Sequence, residues 1–293
     1  MRTEKEMFEL ILDVARCDAR VRAAYLNGSR ANPNAKKDIF QDYDVVYVVK
    51  EMASFLRDGD WIRVFGDILI MQEPDKLDAS LGADMDFSEH YTYLMQFTDG
   101  NRIDLTIQSI EHMKKEYGTD RLTIPLLDKD GILKPIASPT DSEFWVKKPS
   151  EAEYRACCNE FFWVTPYCAK GLWRNELLYA NEMLFHYALK ELKKMFAWYA
   201  GIQTGFCVSM GKADKLLSEY LPEKAWNGLT RVFCADSIDN AWDALLTAYA
   251  LFAEYAKKVG EALSYSYDAI EAENSLTYAR QVHKLPSDAT KIF

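Results

Sequence analysis

The sequence has no Cys-x-x-Cys pair, although cysteines stand at positions 17, 157, 158, 168, 207 and 234. No histidine lies at zinc-finger distance from any of them. A structural zinc module is therefore not expected, and reduced thiols in a cytoplasm fit best. No apolar run approaches the ~18 residues of a membrane span. The opening stretch, MRTEKEMFELILDVA, mixes charges into a helical apolar pattern and lacks the unbroken apolar core of a secretory signal. Positive charge is also scarce: 35 Lys and Arg face 45 Asp and Glu, a formal net charge of −10. That deficit argues against broad nucleic-acid binding and favours a cationic ligand.

What is present is ordinary globular composition, 49% apolar and 27% charged over 293 residues. The length suits two domains of about 150 residues each. No internal repeat or low-complexity tract interrupts it.

The first half reads as strands with short helices. A helical stripe (Met7, Leu10, Ile11, Val14, Ala15) opens the chain. Strand patterns follow at Val21–Leu26, Tyr43–Val49, Ile68–Gln72, His90–Phe97 and Arg102–Gln108. Asp99-Gly100 between the last two is a hairpin signal. Short helices are expected near Met52–Arg57 and Ser109–Tyr117, and a strand-turn-strand over Leu122–Ile136. The acidic segment Glu73–Glu89 reads as a solvated loop. Pro139 and Pro149 mark a boundary. Beyond it, Ser150 and Glu153 have the form of a capping box opening a helix toward Lys170, with a kink at Pro166. Further helices are expected over 172–199, 212–220, 222–234 and 237–263, which makes the second half a helical bundle.

The chemistry gathers in Tyr25–Val49. Gly28 and Ser29 form a turn after a strand, where a glycine permits close approach and backbone donors suit phosphate; the same dipeptide is also common in ordinary turns. Arg30 adds charge. After a polar loop, Asp42 and Asp44 stand two apart at the head of an apolar strand, so both side chains face one way. Like charges that close call for a cation, and a divalent metal is the favoured answer. Asp104, flanked by Ile103 and Leu105, is a further strand carboxylate; alone it marks a polar face with Thr106 and Gln108.

Outside this stretch each candidate has a plainer alternative. Lys170 suits triphosphate charge or the C-terminal dipole of its helix. Lys212 suits phosphate or the start of a surface helix. Trp173 beside Glu176 suits a platform for a guanidinylated sugar, although its spacing with Leu177 and Ala180 fits a core stripe. Glu89, Glu153, Glu160 and Glu176 are acids able to meet a cation, or simply solvated. His186 and the Cys157-Cys158 pair read as packing.

Gly28-Ser29, Asp42-x-Asp44 and Asp104 together resemble the signature of the nucleotidyltransferase superfamily of DNA polymerase β type. The words LNGSR, KKDIFQDYDVVYVV, FTDGNRIDLTI, WVKKPSEAEYRACCNEF and YCAKGLWRNELLYA resemble the aminoglycoside 6-adenylyltransferases, also called streptomycin adenylyltransferases, and the likeness spans nearly the whole chain. It implies an α+β architecture: a nucleotidyltransferase domain with a mixed β-sheet and flanking helices (1–148), then an all-α helical bundle (149–293). It also implies transfer of AMP from ATP to the 6-hydroxyl of streptomycin with release of pyrophosphate. Asp42 and Asp44 would hold Mg²⁺. Gly28 and Ser29 would cradle the phosphates, and Lys170, inside one of the matching words, would join them; Arg30 and Lys212 are further phosphate candidates on their charge alone. Asp104 would be the base, a metal ligand or both. From the residues themselves, Glu89, Trp173 and Glu176 are the acceptor candidates, with core packing the favoured reading of Trp173. The expected protein is a cytoplasmic monomer. Another aminoglycoside or a lincosamide as acceptor, or a non-catalytic nucleotide-binding module, are the rival readings.

Overall fold

The computed structural model describes all 293 residues. They divide into two compact units, Met1–Glu143 and Phe144–Phe293. The expected boundary at 148 falls slightly late. Val146 N–H donates to the Val208 carbonyl at 2.8 Å and Trp145 bridges Ser209, so the residues just before Ser150 already belong to the second unit.

In the first unit, α1 (Glu4–Cys17) starts on a capping box formed by Thr3 and Glu6, and buries Met7, Ile11 and Ala15. The strands are β1 (Val21–Asn27), β2 (Tyr43–Val49), β3 (Ile68–Gln72), β4 (His90–Phe97), β5 (Arg102–Ser109) and β6 (Ile124–Asp128). Between them lie α2 (Ala53–Arg57), α3 (Pro74–Ser80) and α4 (Ile110–Glu116). The sheet order is β3-β4-β5-β2-β1-β6. Only β2 and β5 run parallel; every other neighbouring pair is antiparallel, so the sheet is mixed as expected.

Strand alternation then assigns the faces. Tyr43, Val45, Tyr47 and Val49 join Ile103, Leu105 and Ile107 in one core with Met7 and Ile11. The opposite face carries Ala23, Tyr25, Val46 and Val48 with Met113 of α4. Asp44, Asp104, Thr106 and Gln108 share that second face by register. Thr106 hydroxyl lies 3.1 Å from that of Thr92, and Gln108 donates to Tyr25 Oη at 2.6 Å. The hairpin expected at Asp99-Gly100 is present, with Gly100 at φ +89. Asp99 also holds Arg2, whose Nε donates to it at 2.7 Å.

Two expectations for this unit change. The acidic segment contains α3, which begins on Pro74 and buries Asp75; Asp75 Oδ2 accepts from the Thr92 backbone at 2.6 Å, which compensates the buried charge. Only the first strand of the expected hairpin over Leu122–Ile136 forms. Asp128 accepts from the backbone N–H groups of Asp130, Ile132 and Leu133, and that local capping takes the donors a second strand would need.

The second unit contains α5 (Glu151–Trp173), α6 (Leu177–Glu182), a π-helical turn (Met183–Ala188), α7 (Leu189–Thr204), α8 (Glu223–Val232), α9 (Ile238–Leu263) and α10 (Ala269–Lys284). The Ser150/Glu153 capping box is formed. Pro166 lies inside α5, and lacking an N–H it leaves the Phe162 carbonyl without its helical donor. Ser275 of α10 supplies one at 2.6 Å. The stretch expected as a helix over 212–220 holds only two short 3-10 turns, with Ala213 and Asp214 at positive φ. No helix is long and apolar enough to cross a membrane.

Candidate active site

The site is built on the parallel pairing of β2 and β5. That register makes Asp44 the direct partner of Asp104, and on its other side Asp44 pairs with Asn27 of β1. Asp42 precedes Asp44 by two. The strand order thus brings three carboxylates, contributed by two separate sequence segments, to one end of the sheet.

The turn after β1 fits against them. Gly28 has φ +72, and a Cβ there would lie 2.2 Å from Asp44 Oδ2. Glycine is required twice, once by the backbone and once by the carboxylate pressed against it. Ser29 follows in the same single turn, Gly28–Arg30, with Gln41 Nε2 3.5 Å from its hydroxyl.

Arg30 is employed differently from the expected phosphate contact. Its Nε donates to the Asp42 carbonyl at 3.0 Å, Nη2 to the Gln41 carbonyl at 2.7 Å, and Nη1 to Glu4 at 3.2 Å. The guanidinium lies 3.7 Å from the Tyr43 ring centroid. Arg30 therefore fixes the backbone that delivers Asp42.

Charge crowding is strongest at Asp44, whose pKa is pushed up to about 6 by burial first, then by Asp104 and Asp42. Partial relief comes from Arg102, a residue that the sequence reading passed over. Its Nε donates to Asp104 Oδ1 at 2.7 Å and its Nη2 to Oδ2 at 2.8 Å. The same Nε lies 3.7 Å from Asp42 Oδ2. A signal was available: Arg102 stands two residues before Asp104 on a strand, hence on the same face.

The donor set suits a hard divalent cation, since all three side chains offer carboxylate oxygens and the charge crowded at the middle one is only partly relieved. As the side chains stand, no group of three forms a closed ligand cage.

Glu89 lies apart from this cluster. Its carbonyl accepts from Ser109 N–H, at the opposite end of β5 from Asp104, roughly 17 Å of strand away. Its carboxylate accepts from Lys115 at 2.9 Å. The other candidates belong to the helical unit. Lys170 lies 5.0 Å from the Tyr167 ring centroid, Trp173 Nε1 donates to the Pro286 carbonyl at 3.3 Å, and Glu176 lies 4.0 Å from Arg174. Lys212 is exposed on a 3-10 turn.

The sequence profile of the streptomycin adenylyltransferase family matches residues 1–282. The chain belongs to that family. An aminoglycoside 6-adenylyltransferase of Bacillus subtilis is 38% identical over 268 residues, 91% of this chain and 93% of its own. One from Campylobacter jejuni is 38% identical over 285 residues, 97% of both chains, and one from Staphylococcus aureus is 35% identical over 272 residues, 92% of this chain and 95% of its own. A crystal structure of an aminoglycoside 6-adenyltransferase from Bacillus subtilis is 33% identical, covering 97% of this chain and all of that one, with a TM-score of 0.48. As a streptomycin adenylyltransferase family member, the chain is a nucleotidyl-transferring enzyme, and a nucleotide is its co-substrate.

Proposed function

We propose that the protein transfers AMP from ATP to the 6-hydroxyl of streptomycin, releasing pyrophosphate and conferring resistance to the drug. Within a family of adenylyltransferases, the observation that carries this reading is the juxtaposition of Asp44 and Asp104 on neighbouring strands beside the Gly28-Ser29 turn. Asp42 and Asp44 would hold Mg²⁺, with Asp104 as a third ligand, a base or both. When bound, the metal would supply charge neutralisation and stabilise the attacking and leaving oxygens of an in-line displacement at phosphorus.

The chain's own groups do the rest. Gly28 and Ser29 would present backbone N–H groups and a hydroxyl to the triphosphate at a turn whose glycine has no side chain of its own. Asp104, once released from Arg102, accepts the proton of the sugar hydroxyl and makes that alcohol a competent nucleophile. Arg30 keeps Asp42 in place through the two carbonyls it holds. The net charge of −10 favours approach of a polycationic drug.

The test uses purified protein with ATP, Mg²⁺ and a panel of acceptors: streptomycin, other aminoglycosides and a lincosamide. Streptomycin is expected to give pyrophosphate and a product heavier by one AMP, and Asp42→Asn is expected to abolish both while the fold is retained. Release driven by a different acceptor alone would overturn the streptomycin reading. Resistance unaffected by Asp42→Asn would overturn the enzyme reading.

A further inference from the structure

We propose that Arg102 is a built-in counter-cation of the aspartate site, which an incoming divalent metal displaces from Asp104 before the three carboxylates act together. The inference rests on reading those aspartates as metal ligands.

Arg102 and Asp104 are two apart on β5, so both project from the same face. The guanidinium fork meets both oxygens of Asp104, at 2.7 and 2.8 Å. This two-point geometry is the strongest form of such a pair. The same group approaches Asp42 at 3.7 Å and so bridges the two outer carboxylates of the site. Every oxygen of Asp104 that could ligate a metal or take a proton is thus already accepting a hydrogen bond.

Stability alone does not account for the pair. The Arg102 side chain is 38% exposed against 19% for Asp104, so solvent screening discounts what even a two-point pair adds to folding. Its position is better explained by occupancy: a monovalent guanidinium offsets the repulsion among Asp42, Asp44 and Asp104 in the metal-free protein, and a divalent ion does so more completely. Arg102 and the metal then compete for the same oxygens. Removing the competitor strengthens metal binding, the reverse of what loss of a merely structural side chain does.

The experiment titrates the full-length protein with Mn²⁺ alone, without nucleotide, following free Mn²⁺ by electron paramagnetic resonance at fixed ionic strength. Arg102→Met, which removes the charge and the fork, is expected to bind about tenfold more tightly than wild type, the order expected for loss of one charge-assisted pair. Arg102→Lys keeps the charge without the fork, and it is expected to fall between the two. Asp44→Asn in either background is expected to lose the site, which locates the ion. Unchanged or weaker binding by folded Arg102→Met overturns the proposal. Arg102→Lys equal to wild type also overturns it, because the two-point hold on Asp104 that the metal is proposed to displace would then offer no resistance to binding; this second variant decides alone if Arg102→Met fails to fold. Absence of Mn²⁺ binding in all three proteins overturns the metal reading together with the proposal, whereas acceptor specificity is untouched by any of these results.

Discussion

Around Asp44 the sheet brings three carboxylates together, and burial with like charge drives one of them up to about 6. Around Phe161 in the helical unit the close neighbours are aromatic. Its ring stacks on Phe252 at 3.9 Å with 5° between planes and meets Phe162 and Tyr249 edge-on. The first region holds groups that repel each other, as the proposed chemistry would require; the second holds aromatic rings that bury one another. Substitutions in the two regions should therefore be read in different observables, transfer chemistry in one and unfolding free energy in the other.

The largest effect expected from this contrast is on stability. Phe161→Ala empties a fully buried position shared by three aromatic neighbours, and large-to-small aromatic truncation in a core costs about 3–5 kcal/mol. Urea unfolding followed by far-UV circular dichroism measures it. A loss below about 1 kcal/mol would mean the site collapses readily and the contrast is overstated.

Next is Gly28→Ala, which should act on chemistry. The added Cβ meets the Asp44 carboxylate and the backbone is in the left-handed region. Displacing that carboxylate is expected to lower adenylyl transfer about 100-fold, close to 3 kcal/mol of barrier. Pyrophosphate release and a thermal melt on the same sample separate the outcomes. A large fall in melting temperature with unchanged turnover would reverse the assignment.

Asp44→Asn sharpens the comparison through pH. The folded carboxyl titrates near 6, above its ordinary value of 3.8, so the folded state holds the proton more tightly. Its contribution to stability is fully present below about pH 4 and is lost as pH rises through about 6. At pH 8, in the presence of a chelator, Asp44→Asn is therefore expected to be more stable than wild type by on the order of 2 kcal/mol, with no gain at pH 4. Thermal melts across that range test the sign. Equal stability at both ends would show that Arg102 and solvent already neutralise the crowding.

The parts of this picture that were legible in the sequence are those with a strong local signal. β2 is a run of β-branched and aromatic residues, α5 opens on Ser150 and Glu153, and the hairpin carries Asp99-Gly100, so each was read at nearly its observed bounds. The aspartates were legible because period-two spacing forces Asp42 and Asp44 onto one face. The α10 helix was not anticipated, because its buried stripe is Ala272, Ser275, Ala279 and Val282, mostly small residues with little hydrophobic contrast. Tertiary contacts hold it instead: Ala272, Ala279 and Val282 pack in the core, and Ser275 donates to the Phe162 carbonyl that Pro166 leaves without a helical donor. The contacts of Arg30 and Arg102 were not legible for a related reason: charge suggests ligand contacts, but whether a guanidinium also holds a neighbouring carbonyl or carboxylate is decided by segments distant in sequence.

The smallest effect expected concerns the two capping boxes, Thr3 with Glu6 and Ser150 with Glu153, which open the first helix of each unit. Ser150 Oγ accepts from Glu153 N–H at 3.2 Å, and Glu153 accepts from Ser150 N–H at 2.7 Å. Ser150→Ala is expected to cost about 1 kcal/mol in urea unfolding, the ordinary value of an N-cap, with no change in turnover. The start of α5 has a second anchor, since Tyr265 Oη donates to the Pro149 carbonyl at 2.8 Å. That bond keeps the chain in place when the cap is lost, and it should hold the cost near one N-cap. A Ser150→Ala loss well above about 2 kcal/mol would show that the cap and the tyrosine act as one unit, and the double variant with Tyr265→Phe would then cost no more than the single.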